Sequence, residues 1–430
     1  MTDSPSTIFV ATCDLSAHVR GRAAPFSRLS EVMATGVGWV PANLGITATG
    51  PLIEDDVFGS AGDLRLMPDP STRCGVPGDD EHPSTELFLA DQTEIDGTPW
   101  GCCPRTFLRD AIARLAQSGL HLTAAFEHEF MLRDLPPAQP FSWHRARQAE
   151  PFGSRLVKLL EETGMQPETW LPEYGRGQFE ITLRPAPALV AADRAILLRE
   201  LVRDLAGRHG HRATFAPLPD PDDVGNGVHV HFSITDAQGA PVLYDPSRPG
   251  RLSEVGGAFA AGVLRHARAV CALAAPSPVS YLRLVPHRWS AGGIYLAEQD
   301  REAMLRICPT PGRGNSSEKA SGFNLEFRAA DATANPWLVL GAIIRAGLRG
   351  IEADYEQPAI AAAGQASALD VAPMPKSLDE ALAGLAADEV ASGWFDRRLL
   401  ATYASIKRAD IAAVSGLPEA EQCARVADVY

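Results

Sequence analysis

The chain has 430 residues, 45% of them hydrophobic, and a formal net charge of −14. This length allows two or three domains, or one large domain with an appendage, and a sizeable core, and the acidity argues against nucleic acid as a main partner while remaining compatible with cationic substrates. No apolar run is long enough to span a bilayer. Met1-Thr2-Asp3-Ser4-Pro5 lacks signal-peptide character, and seven scattered cysteines without a CxxC pair fit a reducing cytoplasm rather than a thiolate zinc centre.

Residues 1 to about 100 read as short strands separated by turns. Ile8-Phe9-Val10-Ala11, Gly36-Val37-Gly38-Trp39-Val40 and the alternating Asp63-Leu64-Arg65-Leu66 are strand-like, the last running into the turn cluster Pro68-Asp69-Pro70-Ser71. A helix is predicted from Pro104 to Gly119, with Phe107, Ala111, Leu115 and Ala116 at helical spacing. The apolar strand Ala124–Leu132 follows, then a polar stretch at 134–155 that reads as a surface excursion. Further helices are predicted over 187–210, 251–275 and 335–351, the last with Pro336 in its first turn. The tail from about 356 is alanine-rich and reads as mostly helical.

Within Phe126-Glu127-His128-Glu129-Phe130, Glu127 and Glu129 are two residues apart. On a strand both carboxylates therefore face one side. Two buried like charges are costly unless a cation lies between them. Related patterns recur as Glu173 and Glu180, as His229 and His231, and as Glu326 with Arg328. Metal-ligating residues and arginines on several strands suggest a sheet lining a cation-filled, phosphate-handling cavity.

Taken in order, these segments resemble the glutamine synthetase superfamily. The resemblance is carried by Gly62-Asp63-Leu64, Phe126–Phe130, Glu173–Glu180, Gly225-Asn226-Gly227-Val228-His229-Val230-His231, Ser280-Tyr281-Leu282-Arg283-Leu284-Val285-Pro286, Arg301–Arg306, Glu326-Phe327-Arg328 and Asn335-Pro336. It implies an α+β fold with a small β-grasp-like N-terminal domain (1–103). A catalytic domain (104–430) would follow, built on a curved, largely antiparallel sheet backed by helices. It also implies a homo-oligomer, a hexameric ring or dodecamer. The implied reaction has two steps: ATP phosphorylates the γ-carboxylate of glutamate, and an amine then displaces phosphate.

The same resemblance assigns roles. Glu129, Glu173 and Glu180 would hold one divalent cation, and Glu127, His229 and Glu326 another. This oxygen-rich set suits Mg²⁺ or Mn²⁺. Arg283 and Arg328 would bind the glutamate carboxylates, with Gly225 allowing close approach. Arg301 and Arg306 would meet the ATP phosphates and the moving phosphoryl group, His231 a phosphate, and Ser233 the nucleotide. Arg283, Arg301 and Arg328 are the expected catalytic arginines.

One departure concerns the amine. Ammonia-using members carry a glutamate in a flap six residues after the arginine at Arg283, where this chain has Trp289. Their other ammonium-site acid lies in an Asp-Gly-Ser turn, where this chain has Gly38-Trp39-Val40-Pro41-Ala42-Asn43. The resemblance therefore points to the γ-glutamylpolyamine synthetase branch, with a polyamine, alkylamine or amino alcohol as substrate and Trp289 either walling it or serving as plain flap packing. The alternatives are glutamine synthesis with an altered flap, or a non-catalytic relative. Val224, Leu218, Asn324 and Val279 also depart from common family residues and leave a different acid substrate open.

Overall fold

A computed structural model describes residues 5–54, 57–310, 314–362 and 372–430. The first sheet contains β1 (Thr7–Cys13), β2 (Val19–Pro25), β3 (Val37–Trp39), β4 (Leu64–Pro68), β5 (Cys74–Val76) and β6 (Thr85–Glu94). Its order is β2-β1-β6-β4-β3, with β5 also on β6. β1 and β6 run parallel and the other pairs antiparallel. In β4, Leu64, Leu66 and Pro68 are buried while Arg65 and Met67 are not. This is the period of two that puts one face on a core.

The second sheet has ten strands: β7 (Leu120–Leu132), β8 (Pro167–Pro172), β9 (Gln178–Leu183), β10 (Ala186–Pro187), β11 (Ala213–Thr214), β12 (Val228–Asp236), β13 (Gly293–Glu298), β14 (Ala303–Ile307), β15 (Leu325–Phe327) and β16 (Ile360–Ala361). Its order is β16-β13-β14-β15-β12-β7-β9-β8, with β10 and β11 against β7. Among the described residues only the pairs β13–β14 and β13–β16 of this sheet are parallel. β7 alternates strictly: Leu122, Ala124, Phe126, His128 and Phe130 are buried, and Thr123, Ala125, Glu127 and Glu129 lie on the other face. Helix Ala188–Arg208 packs against β7 and buries Ile196, Leu197, Leu201 and Val202. Each such side chain contributes roughly 1.5–3 kcal/mol of burial.

Helices Pro104–Gln117, Ala188–Arg208 and Pro336–Glu352 pack together behind the sheet. Asn335 caps the last of these: its side-chain oxygen accepts from the Trp337 and Leu338 amides at 2.9 and 3.3 Å. Its amide nitrogen donates to the carbonyls of Cys13 and Asp14 at 3.0 Å. One residue thus starts a catalytic-side helix and ties it to the first sheet. Arg105, fully buried, pairs with Asp69, Asp91 and Asp193 at 2.8–3.0 Å, so its charge is balanced where water cannot reach it.

Two expectations change. The helix predicted over 251–275 is two helices, Glu254–Arg265 and Ala267–Ala274, meeting at His266. His266 leaves helical geometry and bonds Asp388 at 2.6 Å; apolar spacing alone did not signal that break. The stretch 134–155 contains the helix Trp143–Gln148, which buries Arg145. In the tail, Leu378–Ala387, Glu389–Ser392, Arg397–Val414 and Glu419–Val429 are helical; 363–371 lies outside the described residues. Among the described residues no helix is long and apolar enough to cross a membrane.

Candidate active site

The strand registers bring the distant acidic motifs together. Glu127 in β7 lies opposite His229 in β12, and Glu129 opposite Glu180 in β9. Glu326 in β15 lies between His231 on one side and Arg306 on the other. Donor atoms of Glu127, His229 and Glu326 all fall within 4.8 Å of one another. Here His229 Nδ1 is 2.7 Å from Glu127 and 3.7 Å from Glu326.

Glu129 is held from the glycine loop. The Gly227 amide donates to its carboxylate at 2.7 Å, and Gln178 approaches it at 3.5 Å. Gln178 also donates to the Gly225 carbonyl and to Asn226 at 2.9 and 3.0 Å. A Cβ on Gly225 would lie 2.2 Å from the Pro217 carbonyl oxygen and 2.6 Å from Arg283 Cδ, so only glycine fits there.

The electrostatics divide the site in two. Burial works to raise the pKa of Glu326, but Arg328, both histidines and Arg306 draw it down to about 2. Arg306 bonds Glu326 at 2.7 Å, and Arg328 Nη1 bonds its other oxygen. Burial likewise opposes ionisation of Glu127, yet bonds from His229 and His231 take its pKa well below the usual range. Across the sheet the balance reverses. Burial, then the charges of Glu127, Glu129 and Glu173, push Glu180 up to about 10. Burial and Glu129 push Glu173 up to about 7. Among the described residues the positive charge acting on Glu173, that of Arg301, does not offset burial and the neighbouring carboxylates, a condition a divalent cation relieves. The oxygen-rich donor set fits a hard ion. Glu129, Glu173 and Glu180 are near enough to perturb one another but do not form a set as compact as Glu127, His229 and Glu326.

A cavity of about 270 Å³ opens on one side of the acids, bounded by Glu129, Glu173, Tyr174, Gly225, Arg283 and Trp289. Another of about 420 Å³ includes Glu127, Glu180, His231, Ser233 and Asn324. Arg283 is buried and donates to the Ala330 carbonyl at 2.9 Å, with its Nε unpartnered among the described residues. Arg328 is turned inward, also donating to the carbonyls of Arg301 and Trp289 at 2.7 and 3.1 Å. Arg301 is exposed beside β14, its charge favouring ionisation of Glu173. His231 meets Asn324 at 3.0 Å and Cys308 at 3.6 Å.

Several contributors were absent from the sequence reading. Arg145 donates to the carbonyls of Glu173, Gly175 and Ala138, clamping the loop that carries Glu173. Arg288 donates to the carbonyls of Asp223 and Pro221 at 3.1 and 3.0 Å, tying the Trp289 segment to the loop before Gly225. Tyr174 stands beside Trp289 with ring centroids 6.2 Å apart. Tyr174 and Arg288 had a local signal, each standing next to a residue already singled out, Glu173 and Trp289.

Known proteins match this chain over nearly its full length. Residues 3–100 match the glutamine synthetase N-terminal domain and residues 101–425 the glutamine synthetase catalytic domain. The chain is 31% identical to gamma-glutamylpolyamine synthetase GlnA3 of Streptomyces coelicolor, covering 96% of this chain and 91% of that protein. It is 30% identical to a glutamate–isopropylamine ligase from a Pseudomonas species, covering 85% and 82%. A glutamine synthetase of Methanocaldococcus jannaschii is 31% identical over 81% and 79%. Among solved structures, a novel glutamine synthase homolog superposes with TM-score 0.93 at 43% identity over the whole of both chains. A GmaS/ADP complex superposes at 0.84 with 27% identity over 98% and 99%. The chain belongs to the glutamine synthetase family.

Proposed function

We propose that the protein is an ATP-dependent ligase joining the γ-carboxylate of glutamate to an organic amine through γ-glutamyl phosphate. The family uses ATP and divalent cations and takes glutamate and an amine. The observation that carries the choice of amine is Trp289. It stands 64% exposed on the rim of the cavity that also holds Arg283, Gly225 and Glu129. By the family resemblance, ammonia-using members carry a glutamate at that flap position. An indole cannot accept a proton from ammonium, but it offers apolar area to a substituted amine.

In this reading Glu129, Glu173 and Glu180 hold one Mg²⁺ or Mn²⁺, and Glu127, His229 and Glu326 another. Those ions supply charge neutralisation for the triphosphate. Arg283 and the Gly225 backbone seat glutamate in the smaller cavity. Ser233 and His231 face the nucleotide in the larger one. Arg306, aligned by Glu326, and exposed Arg301 stabilise charge on the transferred phosphoryl group, and Arg328 joins Arg283 in binding glutamate. We take the domain boundary as 103/104, a choice supported by the start of helix Pro104–Gln117. Seven unpaired, buried cysteines support a reducing, cytoplasmic setting. A homo-oligomeric ring accords with family membership.

The test is ADP release and product mass with ATP, isotope-labelled glutamate and a panel of amines. Organic amines should support faster turnover than ammonia. Ammonia outperforming every organic amine would instead favour glutamine synthesis, the reading suggested by similarity to the archaeal glutamine synthetase.

A further inference from the structure

Resting on the ligase reading, we propose that the amine is a monoamine whose uncharged tail packs on Tyr174, Trp289 and Val224, and that a second ammonium group is selected against. Tyr174 and Trp289 are 55% and 64% exposed, unusual for large aromatics, and their rings are tilted 35° to one another. Bare ring surface at a cavity rim suits an apolar ligand. Val224 continues this wall: its Cγ2 packs on Gly175, next to Tyr174, within 2.6 Å of where a Cβ would stand.

The wall is held in place. Trp289 sits at φ +54°, a left-handed conformation rare for a bulky residue. Its carbonyl accepts from Arg328 at 3.1 Å. The next residue, Ser290, donates to the Arg283 carbonyl at 2.6 Å, and the preceding Arg288 is tied to the Asp220–Asp223 loop. The indole is therefore presented by a segment anchored on both sides.

Charge decides what the tail carries. The carboxylates lining this cavity are Glu129, Glu173 and Asp223. The first two belong to the proposed cation set. Asp223 is already committed: one oxygen accepts from the Val224 amide at 2.8 Å, the other from the Arg176 amide and guanidinium at 3.0 and 3.1 Å. Arg288 adds positive charge to the same lining. A distal ammonium would lose hydration and meet two guanidinium groups. Among the described residues of this lining it would find no uncommitted anion. An exposed ring face attracts a cation only weakly, and Arg288, adjacent in the chain to Trp289, opposes it.

The experiment compares kcat/KM for n-butylamine and 1,4-diaminobutane, which share a four-carbon tail, at about pH 8, with methylamine and ammonia alongside. Butylamine should exceed the diamine by about tenfold or more, the discrimination expected when a charge enters a site built for apolar contact. Tyr174→Ala should lower the butylamine-to-methylamine ratio several-fold, and Tyr174→Phe should retain it. A diamine equal to or better than butylamine, with both above ammonia, overturns this inference and leaves the ligase reading standing. A butylamine-to-methylamine ratio unmoved by Tyr174→Ala also overturns it. Ammonia above every organic amine removes the ligase reading and this inference with it.

Discussion

The two faces of β7 solve opposite problems with neighbouring residues. On the helix-covered face, His128 lies among Phe126, Phe130 and Phe215. Burial, with Arg199 nearby, pushes its pKa down to about 3, so it is a neutral part of the core. On the other face, Glu127 and Glu129 gather further acids from β9, β12 and β15. On the first face burial and the charges of Arg199 and Arg203 outweigh the pull of Glu127, so His128 stays uncharged. The second concentrates negative charge beyond what its arginines and histidines balance, as Glu173 and Glu180 record. The lesson is that one strand's alternation separates stability from binding.

Breaking the core face should give the largest effect. Phe130 is fully buried, with ring centroids of Phe152, Trp170, Phe179 and Phe215 at 5.3–6.3 Å. Phe130→Ala should destabilise the fold by about 3–5 kcal/mol in denaturant unfolding. A loss below 1 kcal/mol would mean that this cluster is not a structural centre.

On the acidic face Glu180 in β9, paired with Glu129 of β7, should respond in the opposite sense. Glu180→Gln should lower kcat/KM by about 10²–10³-fold and weaken Mn²⁺ binding in calorimetry. The metal-free protein should nonetheless melt at a higher temperature than wild type near pH 8. Glu180 has a folded pKa above its unfolded one. Its stabilising contribution is therefore present below pH 4.5 and is lost as pH rises toward 10; glutamine removes that loss. A lower metal-free melting temperature in the variant would contradict the like-charge account.

The smallest effect sharpens the role of His128. Its folded pKa lies below the unfolded value of 6.5, so the unfolded chain binds the extra proton. Stability should then fall by about 1.4 kcal/mol per pH unit below 6.5. His128→Leu should flatten this slope between pH 6.5 and 4.5. An unchanged slope would assign the acid sensitivity to other groups.

Much of this was legible in one dimension. The spacing of Glu127 and Glu129 sets their common face because a strand repeats every two residues. The order of the motifs pointed to the family before any coordinates. The break at His266 was not legible, since apolar spacing continues through it. Nor was the burial of Arg145, whose partners include the Glu173 and Gly175 carbonyls of a loop distant in sequence.

By itself, then, the sequence determined the alternation of the strands, the donor types of the acidic set and the presence of Trp289 in the flap, all properties of short segments. Only the tertiary structure decided that Glu129 faces Glu180, that Glu326 lies between His231 and Arg306, and that Tyr174 meets Trp289. Local periodicity depends on neighbouring residues, whereas register and side-chain meetings across the sheet depend on how distant segments close and pack.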